Sequence, residues 1–172
     1  MKKCLLFLTA SLLVLGVVGM AGATPFTDEN SKTAYLGALD SDVWNFNLDT
    51  DTLAVGTINP GDIINSANLS IAFVDDETDT WFFWTWEVAS VLLDGTLAEI
   101  IPDVDTGLYP MAVNVARLAD HALSVTINSL GDFSVNGVTL SGDYTPVPEP
   151  ATMLLLGSGL LGLAGFRKRF KK

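Results

Sequence analysis

The chain has 172 residues and a formal net charge of −11 at pH 7, with 49% hydrophobic and 17% charged residues. The imbalance is concentrated in the middle: from residue 24 to 147 only Lys32 and Arg117 are basic, against nineteen of the twenty acidic residues, which leaves this body at −17. A surface of that sign repels phosphate backbones and anionic headgroups, which excludes nucleic acid as a partner.

The first residues, "MKKCLLFLTASLLVLGVVGMAGATPF", have the three parts of a secretory signal: Lys2 and Lys3, an apolar stretch from Leu5 to Val18, and the small residues Ala21, Gly22 and Ala23. Cleavage is expected after Ala23, making residues 1–23 a signal peptide. Cys4 precedes the apolar run, whereas a lipoprotein signal needs its cysteine just after it, so lipid attachment is not expected. With Cys4 removed the mature chain has no cysteine, and the body must fold on a hydrophobic core without disulfides.

Residues 24–146 have the length of one domain. The stretch from 24 to 40, "TPFTDENSKTAYLGALD", shows little periodicity and reads as a loose lead-in. Strand signals then dominate. Trp44 to Leu48 alternates, and Asn59-Pro60-Gly61-Asp62 follows as a turn. Asn68 to Phe73 alternates strictly, placing Leu69, Ile71 and Phe73 on one face. Trp81 to Leu93 reads as a long strand, bent or broken near Ser90, with Asp94-Gly95 as the turn after it. Met111, Val115, Leu118, Ala119 and Ala122 recur at helical spacing, yet Met111, Val113 and Val115 also alternate. The favoured reading is a strand to Val115 and one helical turn through Asp120. Leu123, Val125 and Ile127 restore the period of two. Phe133 to Leu140 reads as a hairpin around an Asn136-Gly137 type I′ turn, and Ser141-Gly142-Asp143 as a further turn. About eight short strands without a sustained helix predict an all-β body, an antiparallel β-sandwich of jelly-roll or immunoglobulin-like type.

Two stretches of the body invite a chemical reading. "DDETD" places Asp75, Asp76, Glu77 and Asp79 at the end of the best strand. Its alternate carboxylates imitate the start of an EF-hand loop, but Thr80 stands where that loop needs Gly and Trp86 where it needs Glu. Calcium held jointly with Asp103-Val104-Asp105 or Asp49-Thr50-Asp51 is one reading, and a solvated acidic loop is the other. "TWFFWTWE" carries more rings than one buried face absorbs, so Trp81, Trp84 and Trp86 are candidates to stack on sugar rings; packing into the core is the alternative. Enzymatic chemistry is not expected. His121 is the body's only histidine, Asp120 stands beside it, and no nucleophile motif accompanies them.

The C-terminus is "VPEPATMLLLGSGLLGLAGFRKRFKK". Ala151 to Phe166 carries no charge, and as a helix it reaches roughly 24 Å against a hydrocarbon core of about 30 Å. A short transmembrane helix over 151–166 is therefore expected, and the cationic Arg167, Lys168 and Arg169 after it mark a cytoplasmic stop. Pro148 and Pro150 hold the preceding segment extended and leave Glu149 exposed.

In this order, motif, glycine-spotted helix and basic cluster, residues 147–172 resemble the PEP-CTERM sorting signal. The resemblance implies that Val147, Pro148, Glu149 and Pro150 are recognised by an exosortase, a membrane protease that cuts nearby. It also implies a host that builds exopolysaccharide. Residues 60–142 are similar, more loosely, to β-sandwich bodies that accompany this signal. The resulting expectation is a non-enzymatic surface or matrix protein. It would be exported, held transiently in the inner membrane with its body on the periplasmic side, then released to the cell surface or medium in association with exopolysaccharide or biofilm. A carbohydrate-binding module and a calcium-dependent adhesive domain are the alternatives; apart from calcium no cofactor is expected.

Overall fold

Alternating apolar and polar residues close into two antiparallel sheets in the computed structural model, which describes residues 22–75 and 87–147 together with Ser158 and Gly159. The chain divides into one unit from Ala23 to Pro146, which holds every strand among the described residues, and another made of Met1–Gly22 and Val147–Lys172. The strands are β1 (Thr24–Asn30), β2 (Ala34–Leu36), β3 (Ser41–Asn47), β4 (Ile63–Asp75), β5 (Val88–Leu93), β6 (Thr96–Ile101), β7 (Gly107–Ala112), β8 (Ala122–Leu130) and β9 (Phe133–Thr145). A single 3₁₀ turn among the described residues, η1 (Val115–Leu118), precedes β8. The first sheet runs β1-β9-β4-β7, with β2 also paired to β9, and the second runs β3-β8-β5-β6.

The strict alternation read at Leu69, Ile71 and Phe73 on β4, and at Leu123, Val125 and Ile127 on β8, becomes one apolar face of each sheet. Both faces feed one continuous core, in which Trp44, Leu69, Ile71, Val91, Val125, Ile127, Val135 and Leu140 are completely buried. Each such side chain contributes about 1.5–3 kcal/mol relative to an exposed one. Phe73 packs edge-to-face on both Phe133 and Tyr109, with ring centroids 5.2 and 5.3 Å away, an arrangement that suits the ring quadrupoles.

Several sequence expectations are corrected. Residues 24–36 are not a lead-in: β1 and β2 both pair with β9, and Phe26 and Leu36 are buried. Their strand character comes from the partner rather than from local periodicity. Phe133 to Leu140 is not a hairpin, because β9 continues through Asn136-Gly137 to Thr145. Ile71 pairs with Val138 and Phe73 with Val135, so two residues of β9 oppose Ala72 alone, a β-bulge with Gly137 at φ 128°. On the other side of β9, the partner changes at the same place from β2 to β1. Ser141-Gly142-Asp143 also lies within β9 rather than in a turn.

The turn expected at Asp94-Gly95 is present: φ is 50° and 73° and Leu93 pairs with Thr96, the geometry of a two-residue type I′ hairpin. β5 passes through Ser90 unbroken, and the expected part of that strand from Trp81 to Trp86 lies outside the described residues. β7 ends at Ala112, earlier than the expected Val115, and the helical turn is confined to Val115–Leu118. Pro110 fits inside β7 because β7 is an edge strand, where a missing N–H breaks no ladder.

Candidate functional site

Two places in the chain bear on function: the end of β9, where the sorting segment begins, and a cleft built around His121. β9 makes its last pairing between Thr145 and Ile63, and Val147 is half exposed just beyond it. Pro148, Glu149 and Pro150 lie outside the described residues, as do Arg167, Lys168 and Arg169. Of the expected membrane segment 151–166, only Ser158 and Gly159 are described, and both are helical. Among the described residues no helix is long and apolar enough to cross a membrane.

The candidate glycan-stacking residues Trp81, Trp84 and Trp86 fall outside the described residues too, with Asp76, Glu77 and Asp79 of the calcium reading. Asp75 ends β4, and its N–H donates to Thr106 Oγ1 at 3.0 Å. The loop carrying Asp103 and Asp105 therefore comes beside Asp75, and the Asp105 N–H donates to the Tyr109 hydroxyl at 2.8 Å. Asp49 belongs to a different constellation, with His121. Among the described residues no group of three or more His, Cys, Asp or Glu side chains is placed to hold a metal ion.

His121 ends the segment between η1 and β8. Asn114 caps η1 by accepting from the Ala116 N–H at 3.0 Å, and His121 takes a left-handed φ of 58° after donating its own N–H to Leu118 O. That backbone turns the imidazole inward, where it is only 7% exposed. Nδ1 lies 2.6 Å from Asp49 Oδ1 and Nε2 lies 2.8 Å from the Asp62 main-chain carbonyl. Asp49 follows β3, while Asp62 closes the Asn59–Asp62 turn, in which its N–H donates to Asn59 O and its carboxylate accepts from the Asn59 N–H. The Pro60-Gly61 turn read from the sequence is thus present, with Gly61 at φ 100°.

Both ring nitrogens of His121 thus face oxygen atoms, an arrangement that the doubly protonated ring satisfies at both positions. Burial opposes that charge, but the Asp49 hydrogen bond, the Asp62 carbonyl and the charges of both aspartates favour it, and the pKa is raised above its ordinary value. A ring with both nitrogens occupied as donors does not serve as a general base. Beside it lies an open cleft of about 490 Å³, walled by Asp49, Asp62 and Asp120 and floored by Ile64, Val115 and Leu118. Asp120 stands beside His121 in the sequence, but the ring's carboxylate partner is Asp49, which the pairing of β3 with β8 brings near.

A second buried acid was not singled out from the sequence. Asp28 follows Phe26 on the inward face of β1 and is 5% exposed, with Oδ2 buried and lacking a hydrogen-bond partner among the described residues. Burial, then the nearby charge of Asp51, pushes its carboxyl pKa up, more than the Glu29 N–H lowers it.

A family model for the PEP-CTERM protein-sorting motif matches residues 146–169, beginning at the residue after β9 ends. The chain is thus a protein bearing a PEP-CTERM sorting motif. The motif implies an exported protein targeted to an exosortase and held transiently in the membrane through its C-terminal region. No curated protein matches the chain.

Proposed function

We propose that this protein is a non-enzymatic component of the cell surface or extracellular matrix, delivered by exosortase processing and associated with the exopolysaccharide envelope or biofilm of its host. The observation that carries the reading is the sorting motif at 146–169, which starts where the last strand of the acidic body stops. In this reading the two sheets form an antiparallel β-sandwich as cargo, residues 1–23 direct export, and the 151–166 helix with Arg167, Lys168 and Arg169 holds the chain in the inner membrane. Val147 to Pro150 are then presented to the protease on the periplasmic side.

The charge of the body supports this role, because nineteen acidic residues against Lys32 and Arg117 keep it soluble and apart from anionic surfaces after release. The test replaces Pro148, Glu149 and Pro150 together by alanine in the native host and follows the body by fractionation. Accumulation in the inner membrane with loss from the surface and medium is the expected result. An unchanged distribution contradicts the assignment.

A further inference from the structure

The loop joining β3 to β4, residues 48–62, is fastened at both ends to the same residue, His121. Its first end is held where the Leu48 N–H donates to His121 O at 2.8 Å and Asp49 Oδ1 accepts from the His121 ring at 2.6 Å. Its last end is held by the ring's other nitrogen, 2.8 Å from Asp62 O. The middle is fixed independently: Thr27 and Val55 exchange main-chain hydrogen bonds, and the Tyr144 hydroxyl donates to Thr57 O at 2.7 Å. Each end has main-chain bonds of its own, from the Thr50 and Asp51 N–H groups to Asn47 O and from the Asp62 N–H to Asn59 O, and the imidazole adds the direct link between Asp49 and Asp62 beside the 490 Å³ cleft.

The geometry points to His121 as a pH-operated clasp: the imidazolium bridges Asp49 and Asp62 at the two ends of the 48–62 loop, and the neutral ring must let one of them go. A neutral imidazole has one N–H, so either the partly exposed Asp49 carboxylate or the buried Asp62 carbonyl would face a bare ring nitrogen. The charged groups that face the ring are Asp49 from the loop after β3 and Asp62 from the turn before β4; Asp120, on the ring's own segment, lines the same cleft. Arg117 is directed away, donating to Leu93 O at 2.7 Å and approaching Asp94. No cation among these groups competes for the two acceptors.

The direction follows from proton linkage. With the folded-state pKa raised, the clasp contributes fully below the ordinary value of about 6.5 and is lost as pH rises through the raised value. The link between Asp49 and Asp62 is intact in mildly acidic surroundings and is lost as they turn alkaline.

Ring nitrogen NMR shifts and backbone hydrogen exchange on the full chain test this. The clasp requires both His121 nitrogens protonated at pH 6, with a midpoint above 6.5. Exchange at Leu48 and Asp62, corrected for hydroxide catalysis, should rise by up to about tenfold per pH unit from 6.5 to that midpoint and then level off, while Val125 in β8 shows no such rise. A neutral single tautomer at pH 6 overturns the proposal, as does identical pH dependence at Leu48, Asp62 and Val125. Asp49→Asn should lower the midpoint, and an unchanged midpoint overturns the proposal. His121→Asn, which tolerates the left-handed backbone, should abolish the pH-dependent step; its persistence overturns the proposal as well.

Discussion

Gly142 of β9 lies against the Ser66 carbonyl of β4 so closely that a β-carbon on Gly142 would collide with that oxygen and crowd the Phe26 ring. The contact sits at a second bulge, where Ile64 pairs with Tyr144 and Ser66 with Asp143, leaving Asn65 as the extra residue. Asn65 donates to Thr145 Oγ1 at 2.8 Å, which pins the bulge at the very end of β9.

Gly142→Ala should therefore destabilise the body by about 1–3 kcal/mol, since the obstacle is main chain and cannot swing aside. Gly107→Ala is the matched control. Its β-carbon would touch only Tyr109, at 4.0 Å, and its effect should stay within about 0.5 kcal/mol. Urea unfolding of both variants reads the difference.

Asp28 makes the opposite prediction. Because its folded-state pKa is raised, the native state binds its proton more tightly, and stability falls as pH climbs from the ordinary value of 3.8 through the raised one. Above that window the buried charge is a full liability. Asp28→Asn should raise stability at pH 7 by about 1–2 kcal/mol, with the advantage shrinking as pH drops toward 3.8. Melting temperatures of the two proteins across that pH range check both the sign and the trend.

Tyr144 should be worth more than its ring. It is 5% exposed, meets Phe26 edge-to-face with ring centroids 6.4 Å apart, and donates its hydroxyl to Thr57 O. Tyr144→Phe keeps the ring and strands the carbonyl, at a cost of about 1 kcal/mol. Thermal melting gives the total, and faster amide exchange at Val55 locates the loss in the 48–62 loop.

The proposed role needs no metal, so the melting midpoint should be the same in calcium and in chelator. A rise with calcium, which stabilises only what it binds in the folded state, would instead favour the adhesive reading of the Asp75–Asp79 segment.

What the sequence disclosed depended on whether the cause was local. Leu69, Ile71 and Phe73 could be read because a half-buried strand writes its burial into alternate residues. β1 could not, since Asp28 occupies an inward position and its partner is the far end of the body, β9. Asn136-Gly137 misled for a physical reason: the positive φ that Gly137 supplies serves a hairpin turn and a bulge equally well, and only the pairing with β4 decides between them. The sorting motif was fully legible because a protease reads it as a linear peptide. His121 was visible as an isolated histidine, while its bond to Asp49 exists only once β3 lies beside β8.

The central claim is that the acidic body is cargo and the tail a removable address. The intact mass of the protein recovered from the surface and medium of its native cells tests it most directly. A mass corresponding to termini near Thr24 and within Val147 to Pro150 is the predicted result. A mass that still includes Arg167 to Lys172 would mean a protein that keeps its membrane anchor, and would contradict the account.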